Sequence, residues 1–352
     1  DFMEYIIGKK LLDTPVNMKV VKMISLINEC KGKQIVYKKQ PKEVLEKLTE
    51  KAVLDFTIDS CESIILKGEE IKNIFLNEVK PKTREQVSIM EFRDSLKTVN
   101  SAYEDMSLSS QTILELHGYL HRLSLVRGGK YRTEENNLLR TDFFRDDIFN
   151  NHGVLIKKNI EERLDQYIED LCREYNRLIR ENEIDNLIIV AAFILDFILI
   201  SPFEEDNIKM AKLLTVLLLN KNGYTISKYE SLGKIYDESE MVYFKGLFAR
   251  KNDTEKFYYS INKWIEYFLK FILDAYLNLG EELNLNSVKK ETKTKRIEKI
   301  VNSTLGYFTK DDIKIQCPDI PEPTINRVFN NMRKDGKIEV VAKGRSAKWK
   351  RI

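Results

Sequence analysis

The chain has 352 residues, of which 32% are charged and 43% hydrophobic. That is the composition of a soluble globular protein with room for a large core and a second domain. Its longest apolar run, 187–200, is broken by Asp196 and falls short of the roughly 20 residues of a membrane span, so it reads as a core helix. The net charge of +3 hides an asymmetry. Residues 290–352 carry 16 Lys and Arg against 8 Asp and Glu, leaving 42 against 47 elsewhere. A basic end on a mildly acidic body points to a polyanionic partner.

The four cysteines, Cys30, Cys61, Cys172 and Cys317, show no Cys-x-x-Cys spacing, and His117, His121 and His152 complete no zinc pattern. The expectation is a cytoplasmic protein with reduced thiols and no structural metal. No secretory leader is visible, and the opening Asp-Phe-Met points to a start lying upstream.

In chain order, helices come first. VVKMISLINEC, IMEFRDSLKTVNSAY, TILELHGYLHRL, IEERLDQYIEDLCREY and WIEYFLKFILDAYLNL repeat apolar residues at three- and four-residue intervals. No proline falls between Pro81 and Pro202 or between Pro202 and Pro318, which favours long helices. One stretch departs from this, RGGKYRTEENNLLR at 127–140, whose paired glycines and extended residues predict a loop and short hairpin. SKYESLGKIYDESEMVYFKGL around Glu230 reads as further helical packing, and Trp264 as core. His117 and His121, one turn apart beside apolar neighbours, read as packed helix residues; His152 is a distant candidate for a catalytic base.

The polar stretch 281–296 reads as a linker into a second domain. There TKRIEKIVNSTL, TKDDIKIQC and PEPTINRVFNNMRKDG predict three helices, the last with a Pro start and a Gly stop. IEVVAKGRSAKWKRI predicts two strands. That order is a winged helix. Ile325, Val328, Phe329 and Met332 share the inner face of the third helix. Thr324, Asn326, Arg327, Asn330, Arg333 and Lys334 lie outside, where Arg and Asn suit guanine and adenine edges. Lys343, Arg345 and Lys348 are placed to hold phosphates. A protein-contact role for the same module remains open.

The most informative stretch is ISPFEEDNIKMAK, 200–212, between two apolar runs. It resembles the motif of the Fic (Fido) domain family, His-Pro-Phe-x-Asp/Glu-Gly-Asn-Gly-Arg-x-x-Arg. LELHGYLHRL followed by GGKYR is similar to that family's helix and target-docking flap, with Gly128, Gly129, Lys130, Tyr131 and Arg132 as the flap. WIEYFLKFILDAYLNL is similar to a later family helix, and KGRSAKWK to the winged helix of many bacterial members. The resemblance implies a mainly α fold: a Fic-like helical bundle with a small β-hairpin flap, followed by a winged helix. Its divisions would be 1–105 (N-terminal helices), 106–280 (core), 281–296 (linker) and 297–352 (winged helix).

It also implies a chemistry, transfer of AMP from ATP to a protein hydroxyl. In that motif the histidine takes the target's proton, the acid holds Mg²⁺, the glycines form an anion nest and the arginines clamp phosphates. Here Pro202, Phe203, Glu205 (the candidate Mg²⁺ ligand) and Asn207 are retained. Ser201 stands for the histidine and is no base near neutral pH. Asp206 and Ile208 stand for the glycines; the aspartate tolerates a positive φ, and the β-branched residue is strongly disfavoured there. Lys209 and Lys212 stand for the arginines and lose the bidentate fork. Glu204, Glu205 and Asp206 are expected to cap the following helix and occupy the place of a phosphate.

The family's inhibitory helix has its weak counterpart in IDSCES, near 57–63, where Glu62 would face Lys212. The leading expectation is therefore a regulatory or binding protein with a disarmed adenylyltransferase site. Its winged helix would contact DNA or a protein, and the chain would be a possible homodimer away from membranes. The alternatives are an active nucleotidyltransferase using ATP and Mg²⁺, and a transcription regulator with the Fic body as sensor or scaffold.

Overall fold

A computed structural model describes residues 6–37, 39–63, 65–124, 128–133, 163–248, 254–283, 293–304, 306–318, 320–342, 344 and 347–352. The chain divides into two compact units, Asp1–Leu279 and Gly280–Ile352. The architecture is mainly α, as the apolar spacing predicts.

The first unit is built on two buried helices, α7 (Asn186–Ile200) and α8 (Asn207–Lys221), joined by the loop 201–206. Residues 187–200 of α7 are all buried, so this helix is apolar on every side. Asp185 starts it, its carboxylate accepting the Leu187 N–H at 2.9 Å. That is the usual remedy for an orphan donor at a helix start. Asp196 is the polar exception among residues 187–200, and it receives the N–H groups of Ile6 and Ile7 at the head of a single wide, π-type helical turn, Ile6–Lys10.

Around this pair stand α4 (Arg84–Ala102), which packs on α8, and α2 (Lys42–Cys61), which packs on α4. α5 (Ser110–Leu120) lies on α4, and α6 (Leu164–Glu181) on α7. α4 opens with a reciprocal capping box, Thr83 with Gln86. Outside these lie α1 (Met18–Tyr37), α3 (Gly68–Phe75), α9 (Glu238–Phe248) and the 29-residue α10 (Thr254–Glu282). Trp264 of α10 is core, its indole N–H donating to the Ala191 carbonyl at 2.8 Å. No helix among the described residues is long and apolar enough to cross a membrane.

One expectation needs correction. Residues around Glu230 are not helical: a 3₁₀ turn, Thr225–Lys228, leads into turns that last until α9. The reason is Gly233, where a Cβ would lie 2.9 Å from the Phe56 carbonyl oxygen and 2.6 Å from Asp59 Cβ. The backbone must touch α2 there, and a regular helix with side chains would be held away. The expected hairpin falls mostly outside the described residues. Residues 128–133 form no strand, and 134–140 and His152 lie outside the described residues.

The second unit consists of α11 (Lys293–Ser303), β1 (Tyr307–Phe308), α12 (Lys310–Gln316), α13 (Glu322–Lys334), β2 (Ile338–Ala342) and β3 (Lys348–Arg351). Its sheet has the order β1-β3-β2, antiparallel throughout, with Phe308 and Val340 both opposite Trp349. The sequence reading missed β1, since two residues give no period. Its own core holds Ile297, Val301, Phe308, Ile313, Ile325, Val328, Phe329, Met332 and Trp349. Residues 284–292 of the expected linker lie outside the described residues; α10 continues to Glu282 and α11 begins at Lys293.

Candidate functional site: the loop between the central helices

The loop 201–206 turns through two left-handed residues, Ser201 (φ 43°) and Asp206 (φ 58°). Non-glycine residues there are strained, so other contacts must fix the path. Asn207 supplies two: its amide oxygen accepts the Phe203 N–H and its amide nitrogen donates to the Phe203 carbonyl, both at 2.9 Å. Arg132, buried, supplies three more. Its Nε donates to Ser201 O at 2.9 Å, a terminal nitrogen to Ile200 O at 3.3 Å, and its backbone N–H to Pro202 O at 2.9 Å. A guanidinium at the end of α7 satisfies carbonyls that the helix leaves open. Thus the segment 128–133 and the loop form one hydrogen-bonded assembly.

Phe203 plugs the loop into the core. It is fully buried and stacks on His117 at 3.7 Å between centroids and 5° between planes. Tyr131 lies 5.6 Å away, its hydroxyl 2.6 Å from Ser110 Oγ. His117 Nδ1 accepts the Gly129 N–H at 3.0 Å, which places the ring proton on Nε2. Gly129 has φ 74°, and a Cβ on Gly128 would lie 2.8 Å from His121 Cβ. Both glycines are needed for this approach to α5. Lys130 is described with the same segment and is exposed.

The motif side chains are spoken for within the chain. The Ser201 hydroxyl is buried and donates back to Ile198 O at 2.7 Å. Asp206 heads α8 but makes no capping bond to it, contrary to expectation. Its carboxylate lies 3.0 Å from Lys209 Nζ and 3.4 Å from His121 Nε2. The Lys209 ammonium and the His121 ring draw it away from the backbone. Burial raises the Asp206 pKa, but Lys209 and His121 outweigh this and hold it below its ordinary value. For Lys209 burial opposes the charge, and Asp206 more than restores it, raising the pKa. The His121 ring stands 4.6 Å from that of His117; burial depresses both, His117 to about 3, so both are neutral near pH 7.

Ile208 is the second residue of α8 and lies outside the left-handed region, so the strain expected for it does not arise. The helix begins at Asn207, and the reversal of the chain is completed by Asp206. Glu205 is paired with Arg84 at the start of α4. Among the described residues no group of three or more His, Cys, Asp or Glu is arranged to hold a metal ion.

Lys212 is buried and does not face Glu62. It donates to the Gly233 carbonyl and to Ser60 Oγ. Burial presses its pKa down to about 8. Glu62 ends α2 and is exposed, because the helix stops with Cys61 turned inward. The helix does reach the site, through Ser60 rather than the glutamate. Sequence reasoning also missed the Arg84–Glu205 and His121–Asp206 contacts. The four-residue spacing of the histidines was a usable signal for the second; nothing signals the first.

On the second unit, Arg327, Asn330, Arg333, Lys334 and Lys348 are exposed, and Thr324 is half-buried. Asn326 is half-buried, with its amide oxygen accepting from Lys310 at 2.6 Å. Lys343 and Arg345 lie outside the described residues.

No protein-family model matches this chain. No curated protein matches it either. Solved structures do. A Fic family protein from Desulfovibrio desulfuricans G20 aligns with 96% of this chain and 97% of its own length, at 16% identity and a TM-score of 0.53. A Fic domain containing signaling protein from Bacteroides thetaiotaomicron aligns over 77% of this chain and all of its own, at 15% identity and TM-score 0.54. Fic-1 from C. elegans covers 76% of this chain and 73% of the aligned structure, at 15% identity and TM-score 0.51. The fold of this chain is that of these Fic family structures.

Proposed function

We propose that this chain is a regulatory protein on a Fic fold, with its adenylyl-transfer site closed by its own side chains and DNA bound by its second unit. One observation carries the first half: the Asp206 carboxylate sits between Lys209 and His121. A polyphosphate would need the Lys209 ammonium, and a fixed carboxylate beside it repels the phosphate. The residues therefore do not fit ATP and Mg²⁺. The Asn207 amide is consumed by Phe203, Glu205 is paired with Arg84, and the Ser201 hydroxyl points back at Ile198. Ser201, which stands for the motif histidine, is itself no general base near neutral pH.

Calorimetric titration with ATP, with and without Mg²⁺, tests this. The expected result is no binding up to millimolar nucleotide. Micromolar, Mg²⁺-dependent binding overturns the reading and makes an active transferase the better account. The double variant Ser201→His with Asp206→Gly is expected to gain nucleotide affinity by at least tenfold, since it removes the internal anion. A folded double variant with unchanged affinity would count against Asp206 as the obstacle.

The second half rests on the exposed Arg327, Asn330, Arg333 and Lys334 of α13, with Lys348 nearby in the same unit. Three helices and an antiparallel hairpin support a winged-helix reading, with α13 as the element for the major groove. Binding to duplex DNA is expected to weaken with salt, and Arg327→Ala with Arg333→Ala to flatten the log–log salt slope by about two. An unchanged slope, or no binding to DNA at low salt, would move the assignment to a protein partner.

A further inference from the structure

The helix α13 carries more polar side chains than a DNA groove can read, and the structure sorts them. Ile325, Val328, Phe329 and Met332 are its buried residues and fix the direction of the core. At about 100° per residue, the ridge pointing directly away from them carries Arg327, Asn330 and Lys334. Thr324 and Asn331 fall on one flank, Asn326 and Arg333 on the other. Asn326 is withdrawn further. Its amide oxygen accepts from Lys310 Nζ at 2.6 Å. Lys310 is seated over the core rings, its Nζ 5.9 Å from the Phe329 centroid and 5.8 Å from that of Trp349. An amide pairs bidentately with adenine only when its oxygen and its nitrogen are both available. Asn326 has its oxygen engaged, whereas the Asn330 side chain makes no bond among the described residues.

We infer that Asn330 is the adenine-reading residue of this chain, that Arg327 on the preceding turn reads a guanine close by, and that Asn326 reads no base. This rests on the proposal above that the second unit binds duplex DNA through α13. The helical rise of about 1.5 Å per residue sets Asn330 roughly 4.5 Å beyond Arg327 along the axis. Base pairs stack about 3.4 Å apart, so the two side chains reach base pairs that are neighbours or one step removed. The sequence recognised therefore holds a guanine and an adenine within about two base steps. The guanine presents O6 and N7 to the guanidinium fork, and the adenine N6 and N7 to the amide. Lys334 lies in the last turn, past the part of such a helix that meets base edges, and is left to a phosphate. Arg327 brings charge as well as recognition, so its loss also lowers the salt dependence.

Partitioning of a duplex pool with a randomised centre over the full chain, with sequencing of the bound fraction, is the test. The bound duplexes are expected to favour adenine at one position by roughly tenfold, with a guanine one or two base pairs away. Asn330→Ala should reduce the adenine preference below about twofold and leave the guanine preference in place. Its slope of log affinity against log salt should not change, since no charge is lost. Asn330→Gln, which keeps both amide atoms, should restore part of the preference. Asn326→Ala should leave both preferences as they are. Lys334→Ala should flatten the salt slope by about one without altering base preference. Loss of the adenine preference in Asn326→Ala, or an equal weakening on every sequence in Asn330→Ala, overturns the assignment. Binding without base preference overturns it too but leaves the DNA-binding reading standing; no binding to any duplex at low salt overturns both.

Discussion

Replacing Phe203 by alanine is expected to lower the stability of the first unit by about 3–5 kcal/mol, the usual cost of deleting a buried aromatic side chain. The ring is fully enclosed and touches α5 through His117, the segment 128–133 through Tyr131 and α7 through Phe197. Three elements therefore lose a shared wall at once, and the surrounding backbone is too tightly hydrogen-bonded to collapse into the space. Phe203→Leu keeps most of the volume and is expected to cost less than half as much. Chemical denaturation of both variants at equilibrium measures this. A loss of 1 kcal/mol or less for the alanine variant would mean that the loop is not anchored by this ring.

A second large effect concerns Lys212. Its folded-state pKa of about 8 lies below the ordinary lysine value of 10.5 because the ammonium is buried against neutral acceptors. The sign follows from proton counting. Between about pH 8 and 10.5 the unfolded chain holds the proton more tightly, so stability rises with pH across that window. At about 1.4 kcal/mol per pKa unit, the wild type should gain on the order of 3 kcal/mol relative to Lys212→Met over the window. Taking the difference between the two proteins cancels other titrating groups and any constant loss of the Ser60 and Gly233 contacts. Parallel stability curves for the two proteins would show that Lys212 titrates as if in water.

How much of this was legible in the sequence depends on the range of the interaction. The three- and four-residue apolar spacing marks the helices, and the unbroken apolar run of 187–200 marks the buried one, because those signals are local. The likeness of Ser201–Lys212 to a known motif located the loop, and the four-residue step from His117 to His121 correctly put both rings on one face. The partners did not follow. Arg84 lies 121 residues before Glu205 in the chain, and Ile6 lies 190 before Asp196. Composition and period carry no information about such pairs. Ile208 misled because a motif glycine implies a left-handed backbone, whereas the chain reverses at Asp206 and is already helical one residue later. Gly233 misled in the other direction: a helix-like spacing surrounds it, yet close approach to α2 forbids a side chain.

The loop's path is fixed by Asn207 reaching the Phe203 backbone and by Arg132 reaching three successive carbonyls. None of these bonds involves the side chain of residue 201, 204, 205, 206 or 208. Shape and reactivity are thus written at different positions. The five remaining sites set the chemistry of the loop rather than its hydrogen-bonded frame, within what the left-handed backbone at Ser201 and Asp206 accepts. A library randomised there and screened for new ligands would start from a scaffold that already holds its geometry.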